Sequence, residues 1–279
     1  MGPRARQDAA GRPGRPARGG ELTARDGRTE RSRGSSLQVE GLCFAVGGAQ
    51  ILDQVDLSVP AGEFLGVIGP NGAGKTTVFN CISGLITPTG GTIGVDGRDL
   101  TRAPVFERSR RGLGRTFQTS SVFPALSALE NVRLAAQARA GGSLRLWGGT
   151  RRSVRRAQEC LDQVRLGARA DHLAGSLSHG DKRKLELAIV LATEPRLLLL
   201  DEPMAGLGVE DVPELVAVIR DLHHEHGITV LMVEHHLEVV LGLADRIAVL
   251  HHGRMVGVDT PEAVMADPLV QSAYLGEAL

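Results

Sequence analysis

The stretch Gly69-Pro70-Asn71-Gly72-Ala73-Gly74-Lys75-Thr76-Thr77 constrains this chain more than any other. It fits G-x-x-x-x-G-K-[ST], with Gly69, Gly74, Lys75 and Thr76 at the required spacing. Glycines let backbone N–H groups turn inward around a phosphate chain with no Cβ in the way. Lys75 is expected to reach the β- and γ-phosphates, and the Thr76 hydroxyl to bind Mg²⁺. Phe64 to Ile68 reads as a buried strand before the loop, and Lys75 to Leu85 as a helix after it. Phosphate would then sit at a helix N-terminus, where free N–H groups and the helix dipole favour an anion. Residues 69 to 77 are therefore the expected binding site for a nucleoside triphosphate.

A second feature carries the chemistry. Leu197-Leu198-Leu199-Leu200 fits a strand covered on both faces, and Asp201-Glu202 emerge at its carboxyl end, where ligands sit in open α/β sheets. In a chain with a phosphate loop, Asp201 is positioned to hold Mg²⁺. Glu202 can address the water beyond the γ-phosphate as a general base. A third feature is Leu177-Ser178-His179-Gly180-Asp181, with Ser178 and Asp181 at capping-box spacing. Leu185, Ala188, Ile189 and Ala192 then recur on one helical face. The exposed N-terminus of that helix could bind phosphate from a neighbouring subunit.

Along the chain, short strands come first: Leu37 to Phe44, Ile51 to Val59, Phe64 to Ile68 and Thr92 to Val95, separated by Gly- and Pro-rich turns. The region from about Ala103 to Gly175 reads as helical and Arg-rich, with no convincing buried strand. Strands return at Leu197 to Leu200, Ile228 to Val233 and Ile247 to Leu250, alternating with amphipathic helices. Such alternation on both sides of a helical insert predicts a parallel α/β core carrying a helical subdomain. The 279 residues suffice for a full core.

The formal charge is zero, so no global field points to nucleic acid. That balance hides a split, because residues 1 to 36 hold nine Arg against four acidic residues. This Arg/Gly/Pro-rich stretch has too little apolar surface to offset its ordering entropy and reads as a disordered tail. It lacks the apolar core of a secretory signal. Cys43, Cys81 and Cys160 lack C-x-x-C pairing and read as small buried thiols, which fits a reducing cytoplasm. No apolar run reaches the 18 or so residues that span a bilayer, so work at a membrane would need a partner. Histidines at 223, 224, 226, 235, 236, 251 and 252 fall at helix ends and turns without metal-site spacing. Gly141 to Arg156 combines Leu144, Leu146 and Trp147 with five arginines. It reads as a solvated basic helix after a loop, with contact to lipid headgroups as the alternative.

With these motifs in one order, the sequence resembles the nucleotide-binding subunits of ABC transporters. It is most similar to the ATP-binding components of branched-chain amino-acid importers, from about Leu37 to Glu277. The resemblance implies a P-loop NTPase with a parallel RecA-like core, an N-terminal antiparallel β subdomain and a helical subdomain over about 103–180. It implies that Gln118, in Arg115-Thr116-Phe117-Gln118, is the Q-loop glutamine that senses Mg²⁺ and γ-phosphate. His235 matches the switch histidine at the γ-phosphate. Ser178 and Gly180 match the signature residues that close over ATP bound to the other protomer. Glu202, His235 and Gln118 would thus form the catalytic set, and Thr76, Gln118 and Asp201 the Mg²⁺ set.

Implied partners are a second ATP-binding subunit (the same chain or a relative), two transmembrane permeases and, indirectly, an extracytoplasmic solute-binding protein. The implied location is the cytoplasmic face of the membrane, with the region from Thr116 to Val132 receiving a permease coupling helix. The sequence departs from the family pattern at His179 and Asp181 in the signature and at Gly208 after the Asp-Glu pair. It also has Val46 where an aromatic usually stacks on adenine; Phe44 stands two residues earlier. Other cargoes (urea, lipid) and a soluble ATP-driven switch without transport share these motifs.

Overall fold

The computed structural model describes Gly2, residues 34–116, 122–139 and 149–268, and Val270. From Gly34 onward these residues lie in a unit that starts at Ser32, and Gly2 lies in a separate unit, Met1–Arg31. Gly34 and Ser35, within the stretch read as tail, already belong to the folded part. Ser35 is buried, its hydroxyl donates to Asp96 (2.9 Å), and its N–H donates to the Arg196 carbonyl (3.1 Å).

In chain order the elements begin with strands β1 (Leu37–Val46), β2 (Ala49–Val59) and β3 (Phe64–Ile68), then helix α1 (Lys75–Ser83). Next come β4 (Gly90–Val95), β5 (Arg98–Asp99), α2 (Val105–Arg110), β6 (Leu113–Arg115), α3 (Ala128–Arg139) and α4 (Gly149–Gln163). The third stretch holds α5 (His179–Leu191), β7 (Leu197–Asp201), α6 (Val212–His226), β8 (Thr229–Val233) and α7 (Leu237–Leu243). The last holds β9 (Arg246–His251), β10 (Arg254–Asp259) and α8 (Pro261–Ala266). Among the described residues no helix is long and apolar enough to cross a membrane.

Two sheets form among the described residues. One is antiparallel, in the order β2-β1-β4-β5; the other runs β10-β9-β3-β8-β7-β6. In the second, β9, β3, β8, β7 and β6 pair in parallel and β10 closes the edge antiparallel to β9. Side chains alternate across a strand, and the four leucines of β7 follow that rule. Leu198 and Leu200 join the core formed with α4, α5 and α6, whereas Leu197 and Leu199 join the core formed with α1 and the antiparallel sheet. A strand buried on both faces has to be apolar throughout, which is why β7 reads as an unbroken run.

Three details differ from the sequence expectations. The strand β6 lies inside the stretch read as strandless. It has three residues and one large apolar side chain, and it exists because it pairs with β7, Leu113 opposite Leu197. Gly114 is required there, since a Cβ would stand 2.6 Å from Val190 Cγ1. The strand β10 also lies outside the expected strands: its residues are half-buried or exposed, and the turn before it makes the hairpin. Helix α1 stops at Ser83 rather than continuing to Leu85. Gly84 takes the left-handed conformation (φ 80°) that ends helices. The buried Arg108 side chain donates to the last-turn carbonyls of Cys81 and Ile82 (both 2.7 Å).

The cysteines follow from this packing. All three are free thiols. Burial pushes Cys81 in α1 and Cys160 in α4 up to about 11. The thiolate is the reactive form, so both should resist a thiol reagent near neutral pH. Half-buried Cys43 should react first, and the other two only in denaturant. Fast labelling of Cys160 in the native protein would contradict the packing of α4.

Candidate functional site

The loop between β3 and α1 is shaped by its neighbours. Gly69 has φ 153°, and a Cβ there would stand 2.0 Å from the Leu250 carbonyl oxygen. Gly74 (φ 103°) is the N-cap of α1, with no side-chain cap and no acidic residue in the first turn. The first N–H groups of α1 are thus left without a side-chain acceptor, and an anion suits them. The loop is braced from outside: Gly253, in the β9–β10 turn, donates its N–H to the Ala73 carbonyl (3.0 Å), and its own carbonyl accepts from Asp53 (2.8 Å).

Lys75, 6% exposed, directs its ammonium at this loop, donating to the carbonyls of Gly69 (2.6 Å) and Pro70 (2.9 Å). Burial pushes it below the ordinary lysine value, and the carboxylates of Glu202 and Asp201 pull it back up. These two acids therefore lie within electrostatic reach of the loop lysine, although they are more than 120 residues away in sequence.

Asp201, buried at the end of β7, accepts from Arg115 at 2.8 Å through Oδ2. Arg115 also donates to the Asn80 side chain (2.8 Å) and the Ser83 hydroxyl (2.7 Å) of α1, so it ties β6, α1 and β7 together. Burial pushes the Asp201 carboxyl up, and the hydrogen bond and charge of Arg115 bring it down. Asp201 Oδ1 is buried without a hydrogen-bond partner among the described residues. A buried, bare carboxylate oxygen is costly unless something binds it. A hard divalent cation beside the first turn of α1, where Thr76 follows Lys75, fits that atom.

Glu202 adopts the left-handed backbone region (φ 49°), at roughly 1–2 kcal/mol for a non-glycine residue. Its N–H bond to the Val233 carbonyl (2.9 Å) holds it there. The conformation turns its side chain to His235, whose Nε2 lies 2.9 Å from Glu202 Oε1. An ionised carboxylate only accepts, so Nε2 carries the proton. The two residues follow adjacent parallel strands, β7 and β8.

Ser178 caps α5, its Oγ accepting from the Asp181 N–H (3.1 Å). Gly180 lies under Asp211, whose carboxylate carbon would be 2.7 Å from a Cβ there. The unusual Asp181 turns inward and is buried, where Lys184 (2.8 Å) and Arg169 take its carboxylate. Lys184 reaches on to Glu214 of α6 (3.1 Å). His179 is exposed, with Nε2 3.2 Å from a Cβ built on Gly206. The histidine and aspartate of this signature thus face the segment after β7 and the body of the protein. Gln118 lies outside the described residues. Thr116 before it is buried and donates its N–H to the Leu199 carbonyl (3.0 Å).

Sequence reasoning assigned no role to Arg115 or to Glu234, which joins the turn after β7 to the His235 loop. The available signal for Glu234 is akin to the one that marks Asp201: an acid at the carboxyl end of a fully buried strand. Of the histidines, His223 packs edge-on to Phe64, and its Nδ1 lies 3.0 Å from the Ile228 carbonyl; His251 and His252 pack on each other.

The family model described as ABC transporter matches residues 52–205, more than half of the chain. The chain belongs to the ABC transporter family. Among its ABC relatives, the high-affinity branched-chain amino acid transport ATP-binding protein BraF of Pseudomonas aeruginosa is 41% identical over 251 residues. That match covers 87% of this chain and 98% of BraF. The corresponding protein LivG of Escherichia coli K12 is 40% identical over 254 residues, with the same coverages. Among solved ABC cassettes, the dimeric post-hydrolysis structure of MJ0796 bound to ADP and Pi superposes with a TM-score of 0.70 at 27% identity. It covers 81% of this chain and 98% of MJ0796. The fold is that of an ABC ATPase cassette, and the chain is an ATP-hydrolysing ABC subunit.

Proposed function

We propose that this chain energises an importer of branched-chain amino acids or related small polar solutes, working at the cytoplasmic face of the membrane through two permease partners. The observation that carries the catalytic part is the 2.9 Å contact of Glu202 with His235 at the ends of adjacent strands, within electrostatic reach of Lys75. Gly69 to Thr77 hold the triphosphate. Glu202 takes the proton of the attacking water, and His235 orients Glu202 and faces the γ-phosphate. Thr76, Asp201 and Gln118 would hold Mg²⁺, which when bound neutralises charge on the β- and γ-phosphates. Ser178 and Gly180, which match the signature residues of the family, act on ATP held by a second subunit. The dimeric MJ0796 cassette supports that arrangement. The cargo reading rests on BraF and LivG, which are named for branched-chain amino-acid transport. A solute-binding protein delivers cargo on the far side. The segment from Thr116 to Val132 takes the coupling helix of a permease. The test is co-expression with the two permeases and the second ATPase of a branched-chain amino-acid importer: the complex should purify from membranes and take up leucine, and recovery of this chain free of permeases would count against the reading.

Adenine binding yields a separate prediction. Val46 is 59% exposed, whereas Phe44 packs against the core of the antiparallel sheet. Val46 offers dispersion contacts but no ring, so affinity should come mainly from the triphosphate. Base–aromatic stacking contributes about 1–3 kcal/mol, so Val46→Tyr should tighten Mg-ATP binding roughly fivefold or more. No gain in Val46→Tyr, together with weaker binding in a folded Phe44→Ala variant, would assign the stack to Phe44.

A further inference from the structure

We infer that Glu234 is a positioning residue for hydrolysis: a single buried carboxylate that clamps the turn carrying Glu202 to the loop carrying His235. This inference rests on the roles proposed above for those two residues. Glu234 follows β8 and is 2% exposed. Its Oε1 accepts the backbone N–H of Met204 (2.7 Å), in the turn that starts at Glu202. Its Oε2 accepts the backbone N–H groups of His235 (3.0 Å) and His236 (3.4 Å), and His236 Nδ1 stands 3.2 Å away. Both ends of the Glu202–His235 contact thus hang on one side chain by backbone bonds. Among the described residues no lysine or arginine pairs with it, and the one side chain its carboxylate meets is the His236 ring.

The chemistry of the clamp is specific to a carboxylate. Both oxygens face donors, and an ionised carboxylate only accepts. An amide of the same shape must point its NH₂ at one of the two loops, where it meets N–H groups and breaks that set of bonds. Aspartate keeps the charge but is one methylene shorter, so it cannot span both loops. Neither change touches the phosphate loop or Lys75. Positioning residues act on geometry at the reacting centre, where a displacement on the order of 1 Å can cost about 10²-fold.

The test is a double-mutant cycle of Glu234→Gln with His235→Ala, read as kcat and KM for Mg-ATP hydrolysis in the assembled transporter. Glu234→Gln alone should lower kcat about 10–100-fold and leave the KM for ATP unchanged, the pattern of an interaction used only in the transition state. In the His235→Ala background the same change should cost almost nothing further, because the Glu202–His235 contact that the clamp holds is gone. Equal fold-losses in both backgrounds, or a loss confined to KM, would overturn the inference and leave Glu234 a structural residue. If Glu234→Gln does not fold, the cycle is run with Glu234→Asp, and the same non-additivity is required of it. His235→Ala and Glu202→Gln alone separate the two levels. If both hydrolyse like wild type, the catalytic reading fails and the clamp falls with it. If both are impaired and the cycle is additive, only the clamp fails.

Discussion

Glu202→Gln is expected to reduce ATP hydrolysis by about 10²–10⁴-fold, the range for loss of a general base, while ATP binding persists. The substitution removes one function and keeps the rest of the geometry. Glutamine retains a carbonyl oxygen that can accept from His235 Nε2, now 2.9 Å from the Glu202 carboxylate. It tolerates the same left-handed backbone (φ 49°), still held by the bond to Val233. What it lacks is basicity. With nucleotide bound and not consumed, closed dimers should accumulate, and gel filtration with ATP should show a larger species that wild type shows only transiently. Turnover equal to wild type would remove Glu202 from the mechanism.

Lys75→Ala is expected to act earlier, on binding itself. In this structure the ammonium is buried against the loop, held by the carbonyls of Gly69 and Pro70 and within the field of Asp201 and Glu202. Two carboxylates near a phosphate site repel a polyanion, and Lys75 is the cation on the loop that offsets them. Hydrogen bonds to charged groups contribute about 1.5–3 kcal/mol each, so one lost contact should weaken nucleotide binding roughly 10–150-fold. Equilibrium titration with a fluorescent ATP analogue reads this directly. Loss of turnover at unchanged affinity would assign Lys75 to chemistry alone.

The parts of this architecture that sequence exposes are those in which a local pattern has one physical meaning. Four leucines ending in Asp-Glu describe a strand buried on both sides whose polar end must be used, and β7 is that strand. Ser178 three residues before Asp181 describes a cap, and the cap is formed. The phosphate loop is legible in part because close approach to the Leu250 carbonyl dictates Gly69. The parts that stay hidden are set by pairing across the chain. Leu113-Gly114-Arg115 has no strand pattern of its own and becomes β6 only beside β7. Arg254–Asp259 is an edge strand, half-buried or exposed throughout, so periodicity gives no contrast. Arg115 carries no local signal of its own, yet it turns inward to Asp201 over 86 residues of sequence separation. Glu234 is hidden for the same reason, since its acceptor role depends on Met204, 30 residues away.

If the site around Lys75, Asp201, Glu202 and His235 hydrolyses ATP to drive import, turnover of Mg-ATP by the assembled transporter must depend on it. Phosphate release from Mg-ATP by the reconstituted transporter in proteoliposomes, with leucine-loaded binding protein outside, tests it most directly. Hydrolysis should rise when the loaded binding protein is added and fall to background in transporters carrying Lys75→Ala or Glu202→Gln. Phosphate release by the wild-type transporter no faster than in those two variants would contradict that dependence.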